Sequence, residues 1–182
     1  MTPSKDFFAS KLAAGAADAS KISAWWPLHC HVTLGYLGMA FGGPDEKSME
    51  VSRETLSKLS MEWERRVPMA LRRRAGASVG LMREHSLLEI EFIQASALGN
   101  TSKIGQLGDK LLENAKAHSP RYAHASKGFP ENRFAELFRS HIEIFVDSIQ
   151  CRMEKDARGA VACAKRSDEN AVALSMISAE WF

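Results

Sequence analysis

The sequence predicts an all-α fold, a helical bundle of about six helices arranged as three antiparallel hairpins. Apolar residues recur at spacings of three and four along most of the 182 residues, which is the period of one helix face. Short clusters of Gly, Asn, Pro and Asp separate these stretches, as expected of turns between neighbouring helices. No window shows the sustained alternation that is typical of β-strands.

The residues typical of turns mark where each predicted helix begins and ends. The predicted helices cover 22–41, 49–66, a stretch from Leu81 to the Gly99-Asn100 turn, 102–117, 134–153 and 157–178. Asn100 and Asp156 stand where helix caps are expected. We divide the chain into an N-terminal tail (1–20), a first helical hairpin (21–67), a basic linker after the break at Pro68 (68–78) and a four-helix bundle core (79–182).

Each predicted helix carries an apolar stripe that we expect to be buried. The expected core residues are Val51, Leu56, Leu59 and Trp63; Leu81, Leu88, Phe92 and Ala95; Ile104, Leu107, Leu111 and Leu112; Leu137, Phe138, Ile142, Phe145 and Ile149; and Val161, Val172, Leu174 and Ile177. His85 and His141 fall within or beside two of these stripes, so we expect both imidazoles at the core.

A weak internal repeat of 56 residues runs through the chain. It aligns His29 with His85 and His141, and the tripeptide at 113–115 with the identical one at 169–171. The first copy is the least similar, since Ser and Lys stand where the later copies have Glu and Asn. A repeat of this kind predicts equivalent helical units that pack on one another.

The amino-acid composition limits the classes of protein to which the chain can belong. With 45% hydrophobic residues, 25% charged residues and a net charge of +2, the chain belongs with ordinary globular proteins, and its net charge gives no case for nucleic-acid binding. Cys30, Cys151 and Cys163 lack C-x-x-C spacing, which predicts free thiols in a cytoplasmic protein. Residues 22–44 carry no Asp, Glu, Lys or Arg, yet Pro27, two histidines and four glycines favour a buried helix over a membrane span.

Several short motifs follow one another at close spacing. They are Leu81 and His85; Leu111, Leu112 and Asn114; Leu137, His141 and Ile142; and Asn170 and Trp181. Over about residues 80–182 they resemble a family of small bacterial all-helical proteins without an established activity, with the pattern L-x-x-x-H, L-L-x-N, L-x-x-x-H-I and an Asn-bearing helix ending near Trp. The segment W-x-x-H-x-x-x-T-x-x-Y-L at 26–37 is similar to the opening pattern of that family. The resemblance implies a helical bundle with polar positions and implies no reaction.

The histidines suggest a site inside the bundle. If the two later hairpins are equivalent, His85 and His141 face each other across a pseudo-twofold axis, with Asn114 and Asn170 on the partner helices as ligand-binding candidates. Glu89 lies one turn after His85 on the same face. These side chains predict a metal or small-ligand site, with zinc or iron as the candidate cofactor.

His29 is a provisional further ligand of that site. The alternative is a buried polar network in which histidines and asparagines bind one another or the backbone and set the helix register. The repeated Glu-x-x-His pairs of di-iron bundles and the H-x-x-x-H pair of other metal proteins are both absent from the sequence.

Two further segments have weaker chemical signals. The segment from Leu28 to His31 resembles the H-C-H core of the multicopper oxidases, but on a helix its two histidines point in different directions. Five arginines, Arg65, Arg66, Arg72, Arg73 and Arg74, form a basic segment that could bind phosphate groups of nucleic acid or of an anionic membrane surface. The alternative for this segment is a solvated linker.

Taken together, these features predict a non-enzymatic helical bundle that acts through a protein partner or self-association, with a buried His/Asn polar core. The alternative is a metal- or ligand-binding bundle, with a sensor or redox role, that uses His85 and His141. No nucleophile elbow, phosphate-binding glycine loop or acid–base pair supports an enzyme.

Overall fold

The computed structural model describes residues 24–43, 45–66, 80–125 and 127–181, which form six long helices. Numbered in chain order, they are α1 (Trp25–Gly42), α2 (Glu46–Arg66), α3 (Leu81–Ala97), α4 (Thr101–Ala125), α5 (Glu131–Met153) and α6 (Ala157–Trp181). The described ranges contain no β-strand. The predicted all-α bundle of about six helices is confirmed.

The helices alternate between inner and outer positions. Each packs against the next one along the chain, and α6 also packs against α1, so that the six helices form a closed ring. The three odd-numbered helices additionally contact one another and therefore make up the centre of the bundle. The antiparallel hairpins and the internal repeat remain predictions.

The first two helices belong to the same core as the others. Trp25 and Trp26 on α1 and Trp63 on α2 are almost completely buried, and their rings pack on one another. The sequence-based division placed 21–67 apart from a four-helix core at 79–182, whereas α1 contacts α3, α5 and α6. The reason is that buried residues lie around much of the circumference of α1, so one neighbour cannot cover it.

A membrane span was the alternative for the uncharged run that contains α1. Among the described helices, none combines the length and the apolarity that crossing a bilayer requires.

Two of the predicted helix starts have the expected caps. Gly99 adopts a positive φ of 66° after α3, and the side-chain oxygen of Asn100 accepts a hydrogen bond of 3.1 Å from the amide of Lys103 in α4. The carboxylate of Asp156 accepts bonds of 3.1 and 3.0 Å from the amides two and three residues later. These side chains satisfy amides that a helix start leaves without a partner.

Helix α4 extends beyond its predicted end at residue 117. It continues to Ala125 with Pro120 in its interior, where a proline removes one backbone hydrogen bond. The extension is held by packing, because Ser119 and Tyr122 are both buried. Tertiary contacts therefore override the local signal of the proline.

Part of the predicted core is exposed instead. The predicted stripes on α2, α4 and α6 were wrong at four positions, because Val51, Leu112, Val161 and Val172 are 49%, 39%, 71% and 55% exposed. Small and polar side chains make up most of the buried face of α6: Cys163, Ser167, Asn170, Ala171, Leu174, Ser175 and Ser178. A face of small residues lets neighbouring helices approach closely, and a search for large apolar residues does not detect it.

Candidate metal centre

Four polar side chains meet where the three inner helices approach one another. Helix α1 contributes His29, α3 contributes His85 and Glu89, and α5 contributes His141. Each offers one ligand atom, and these four atoms all lie within 4.8 Å of one another. Three of the residues are 0% exposed and His141 is 5% exposed, so the cluster is shielded from solvent.

The three imidazoles form a nearly equilateral triangle. The ring centroids of His29 and His85 are 5.7 Å apart, those of His29 and His141 are 5.6 Å apart, and those of His85 and His141 are 5.5 Å apart. The sequence suggested a twofold pairing with His29 as a provisional third member. In the structure the three rings are nearly equidistant, so His29 is as close to each of the other two as they are to one another.

The carboxylate of Glu89 contacts all three histidines. Its Oε1 lies 3.2 Å from Nε2 of His141 and 3.4 Å from Nε2 of His85. Its Oε2 lies 3.1 Å from Nε2 of His29 and accepts a long hydrogen bond of 3.5 Å from the hydroxyl of Thr33. A single turn of α3 places Glu89 on the same face as His85, which is why both reach the same point.

Two of these imidazoles have no well-directed hydrogen bond within the described part of the chain. Both ring nitrogens of His29 and both of His85 are buried without a hydrogen-bond partner there, even though their Nε2 atoms lie close to Glu89. Buried polar atoms normally have a partner, and an exception calls for an explanation. A ligand that accepts lone pairs from Nε2 would supply that partner.

The electrostatics of the cluster centre on Glu89. Burial by itself would raise the pKa of this carboxyl, but the electrostatic effect of the adjacent His29 and His85 and the hydrogen bond with His141 outweigh it and hold the pKa well below 4.5. Burial lowers the pKa of His141, but the contacts with Cys30 and Glu89 raise it by more. The net result is a pKa raised to about 9. At neutral pH the metal-free cluster therefore pairs a carboxylate with a protonated His141.

The donor atoms fit a transition metal ion. Around a tetrahedral ion with bonds of about 2.1 Å, neighbouring ligand atoms lie roughly 3.4 Å apart. Oε1 of Glu89 lies 3.2 Å from His141 and 3.4 Å from His85, close to that separation, and the four ligand atoms all lie within 4.8 Å of one another. The cluster could hold such an ion with small movements of the side chains.

Residues around the cluster hold two of its rings in place. The indole of Trp25 stacks on His29 with 4.7 Å between ring centroids and 10° between planes. The sulfur of Cys30 lies 3.8 Å from Nδ1 of His141, so that Nε2 of this ring is the atom that faces Glu89. Contacts of this kind orient the ligands of a metal site.

Asn114 and Asn170 bind the inner helices. The side-chain amide of Asn114 donates a hydrogen bond of 3.0 Å to the carbonyl of Leu81, and that of Asn170 donates one of 2.9 Å to the carbonyl of Leu137. Each leucine stands four residues before a histidine of the cluster. The observed contacts join α4 to α3 and α6 to α5, and the ligand-binding role of the two asparagines stays a prediction.

The other predicted sites lie away from the cluster. The side chain of His31 is 61% exposed while His29 is fully buried, so the H-C-H segment does not gather its histidines around one point. Arg65 is exposed and forms an ion pair of 2.7 Å with Glu62. The side chain of Arg66 and residues 72–74 lie outside the described residues.

The sequence did not single out His118, a further buried histidine. Its ring lies edge-on to that of His85, with 6.5 Å between centroids, and its Nδ1 lies 3.4 Å from the hydroxyl of Tyr122. Burial, followed by the neighbouring positive charges, lowers its pKa well below 6.5, so His118 is neutral at pH 7. His118 stands four residues after Asn114 and therefore on the same helix face. The predicted helix ended at residue 117, so His118 was not assigned to that face.

Fold and site together define an all-α bundle with a buried cluster of three histidines and one glutamate that could hold a metal ion. No protein-family model, no curated protein and no solved structure matches the chain.

Proposed function

We propose that this protein is a metal-binding helical bundle, which holds one zinc or iron ion between its three inner helices. The observation that carries the proposal is the cluster of three imidazole nitrogens and one carboxylate oxygen within 4.8 Å, buried at the centre of the fold. Burying a carboxylate and several imidazoles costs free energy unless they are paired. A bound divalent cation would accept the Nε2 lone pairs of His29 and His85, which have no hydrogen-bond partner among the described residues.

The donor set favours zinc or iron over other ions. Calcium and magnesium prefer shells of six or more oxygen atoms, whereas imidazole suits zinc, iron and copper. The thiol of Cys30 contacts the Nδ1 side of His141, opposite the atom that faces Glu89, so sulfur is not part of the ligand set. A shell of three nitrogens and one oxygen lacks the soft donor that copper(I) prefers.

The arrangement suits a sensing or structural role. A site with four protein ligands resembles the closed structural zinc sites, while catalytic sites keep one position open for water or substrate. The ligands come from α1, α3 and α5, so the ion joins segments that are distant in sequence. Metal binding is then coupled to the packing of the inner helices, and the packing responds to metal supply.

Elemental analysis of the untagged protein tests the proposal. We expect about one zinc or iron ion per chain, and a loss of roughly tenfold or more in the double variant His85→Ala/His141→Ala. His31→Ala is the matched control, since this imidazole is on α1 but exposed, and its metal content should not change. Metal-free wild-type protein that also fails to bind added zinc or iron(II) would refute the proposal.

The double variant could lose metal because it unfolds, so a gentler change is needed. His141→Gln keeps a similar side-chain size and leaves His29, His85 and Glu89 in place. Native circular dichroism with metal affinity reduced at least about tenfold would support the ligand role. Native structure with unchanged affinity would contradict it.

Self-association is a second candidate function, favoured by exposed apolar residues on α6. Val161, Val172 and Met176 are 71%, 55% and 70% exposed, and the last two are neighbours on one helix face. We expect sedimentation to show a dimer that the double variant Val172→Lys/Met176→Lys dissociates. A monomer at all concentrations would remove this candidate.

The three free thiols accord with our proposal of a cytoplasmic location. Binding of nucleic acid or an anionic membrane surface through Arg65–Arg74 remains an expectation from sequence.

A further inference from the structure

Two cysteines lie on either side of the turn from α5 to α6. Cys151 is in the last turn of α5, and Cys163 is in the second turn of α6, twelve positions later. Both are free cysteines, Cys151 partly exposed and Cys163 buried. Cys163 lies close enough to Cys151 to influence the pKa of its thiol.

The backbone of the turn holds the two helices in this relation. Lys155 adopts a left-handed conformation with φ 57°, and the amide of Asp156 donates a hydrogen bond of 2.8 Å to the carbonyl of Cys151. The carboxylate of Asp156 in turn caps the start of α6. The end of α5 that carries Cys151 is thus tied to the first turn of α6.

Gly159 provides the space for the Cys151 thiol. A Cβ atom at position 159 would lie 2.6 Å from Sγ of Cys151, a separation that real contacts do not show. Cys163 stands four residues after Gly159, one turn further along the same face of α6. The thiol of Cys151 therefore rests on the face of α6 that presents Cys163.

An ion pair borders the two thiols. Arg166 on α6 stands one turn after Cys163 and forms a salt bridge of 2.8 Å with Asp147 on α5. This ion pair is a second link between the two helices that carry the thiols.

We propose that Cys151 and Cys163 form a dithiol site that hydrogen peroxide oxidises to an intramolecular disulfide. The thiolate of the more exposed Cys151 attacks one peroxide oxygen, the O–O bond breaks, and a sulfenic acid and hydroxide form. The thiolate of Cys163 then attacks the sulfur of Cys151, the S–O bond breaks and a second hydroxide leaves. With the two thiol protons, the hydroxides become two water molecules, so the peroxide gains the two electrons that the thiols lose.

The surroundings also determine the speed of this reaction. Burial, the neighbouring Cys163 and nearby acidic groups raise the pKa of the Cys151 thiol, so little of it is thiolate at neutral pH. Oxidation should therefore accelerate as the pH rises. The site is separate from the histidine cluster, and its oxidation does not depend on whether a metal is bound there.

Peptide mapping of the full chain after treatment with hydrogen peroxide tests the proposal. We expect a loss of about 2 Da in the intact mass, a Cys151–Cys163 cross-linked peptide, and reversal by a thiol reductant. Cys151→Ser and Cys163→Ser should each abolish this cross-link. In the wild type the cross-link should raise the melting temperature by roughly 5 °C, because it restricts the unfolded chain.

Three results would overturn the proposal. They are cross-links mainly between two chains, oxidation of Cys151 to sulfinic acid while Cys163 stays a thiol, and pairing of either cysteine with Cys30 as often as with each other. The mapping uses wild-type protein, so it does not depend on the folding of the serine variants.

Discussion

Nε2 of His141 lies 3.2 Å from Oε1 of Glu89, in a contact that joins α5 to α3 inside the bundle. Glu89 is the one acidic member of the four-residue cluster. Each partner stabilises the charged form of the other, since the hydrogen bond lowers the pKa of the carboxyl and raises that of the imidazole. The charge balance of the cluster therefore depends on a single carboxylate.

Replacing that carboxylate should weaken metal binding. We expect Glu89→Gln to lower the affinity for zinc by at least about tenfold, because the change removes the anionic ligand and keeps the side-chain volume. Isothermal titration calorimetry on the metal-free protein measures the effect. Glu91→Gln is the matched control, since this exposed carboxylate on the same helix pairs with Lys103. An affinity equal to that of the control would exclude Glu89 as a ligand.

The two asparagines should affect stability more than metal binding. Asn114→Ala and Asn170→Ala each remove a buried hydrogen bond to a backbone carbonyl. We expect each to lower the free energy of unfolding by about 1–2 kcal/mol, measured by urea denaturation. The zinc affinity of both variants should stay within about twofold of wild type. A large loss of affinity at unchanged stability would instead favour the ligand-binding role predicted from the sequence.

The parts of the site that a single helix determines could be predicted. His85 and Glu89 share a face because four residues make about one turn, and that relation needs no tertiary information. How His29 and His141 join them depends on the packing of three helices, which local periodicity does not encode. The 56-residue spacing was the available hint, and by itself it did not distinguish a twofold from a threefold arrangement.

The fold class was predictable and several details were not. Turn residues such as Asn100 and Asp156 act locally, and both predicted caps are present. Helix α6 is buried through small residues, and its Val161 and Val172 are exposed. A search for large apolar residues could not detect that face. The continuation of α4 through Pro120 depends on the burial of Tyr122, a contact with other helices.

Two glycines in helices should respond in opposite directions to the same substitution. In Gly159→Ala the new Cβ would lie 2.4 Å from Oδ2 of Asp156 and 2.6 Å from Sγ of Cys151, so we expect a loss of roughly 1–3 kcal/mol in the free energy of unfolding. Gly105→Ala on α4 meets no atom within 4 Å and should gain up to about 1 kcal/mol from helix propensity. Urea denaturation compares them, and equal effects would refute the close packing at Gly159.

The stability of the metal-free protein should pass through a maximum near pH 6.5. The pKa of His141 is raised to about 9, so its contribution is complete below its unfolded value of 6.5 and is lost as the pH rises from 6.5 through 9. The pKa of His118 is lowered, so its contribution is complete above 6.5 and declines as the pH falls. Glu89, with a lowered pKa, adds a further loss only below 4.5.

Urea denaturation between about pH 5 and pH 9 in the presence of a chelator measures this profile. Two variants show which group causes the decline on each side of the maximum, because each variant removes one titrating group. His118→Phe should flatten the decline on the acid side, and His141→Gln should flatten the decline on the alkaline side. Stability that keeps rising from pH 6.5 to pH 9 in the metal-free wild type would contradict the pairing of a protonated His141 with Glu89.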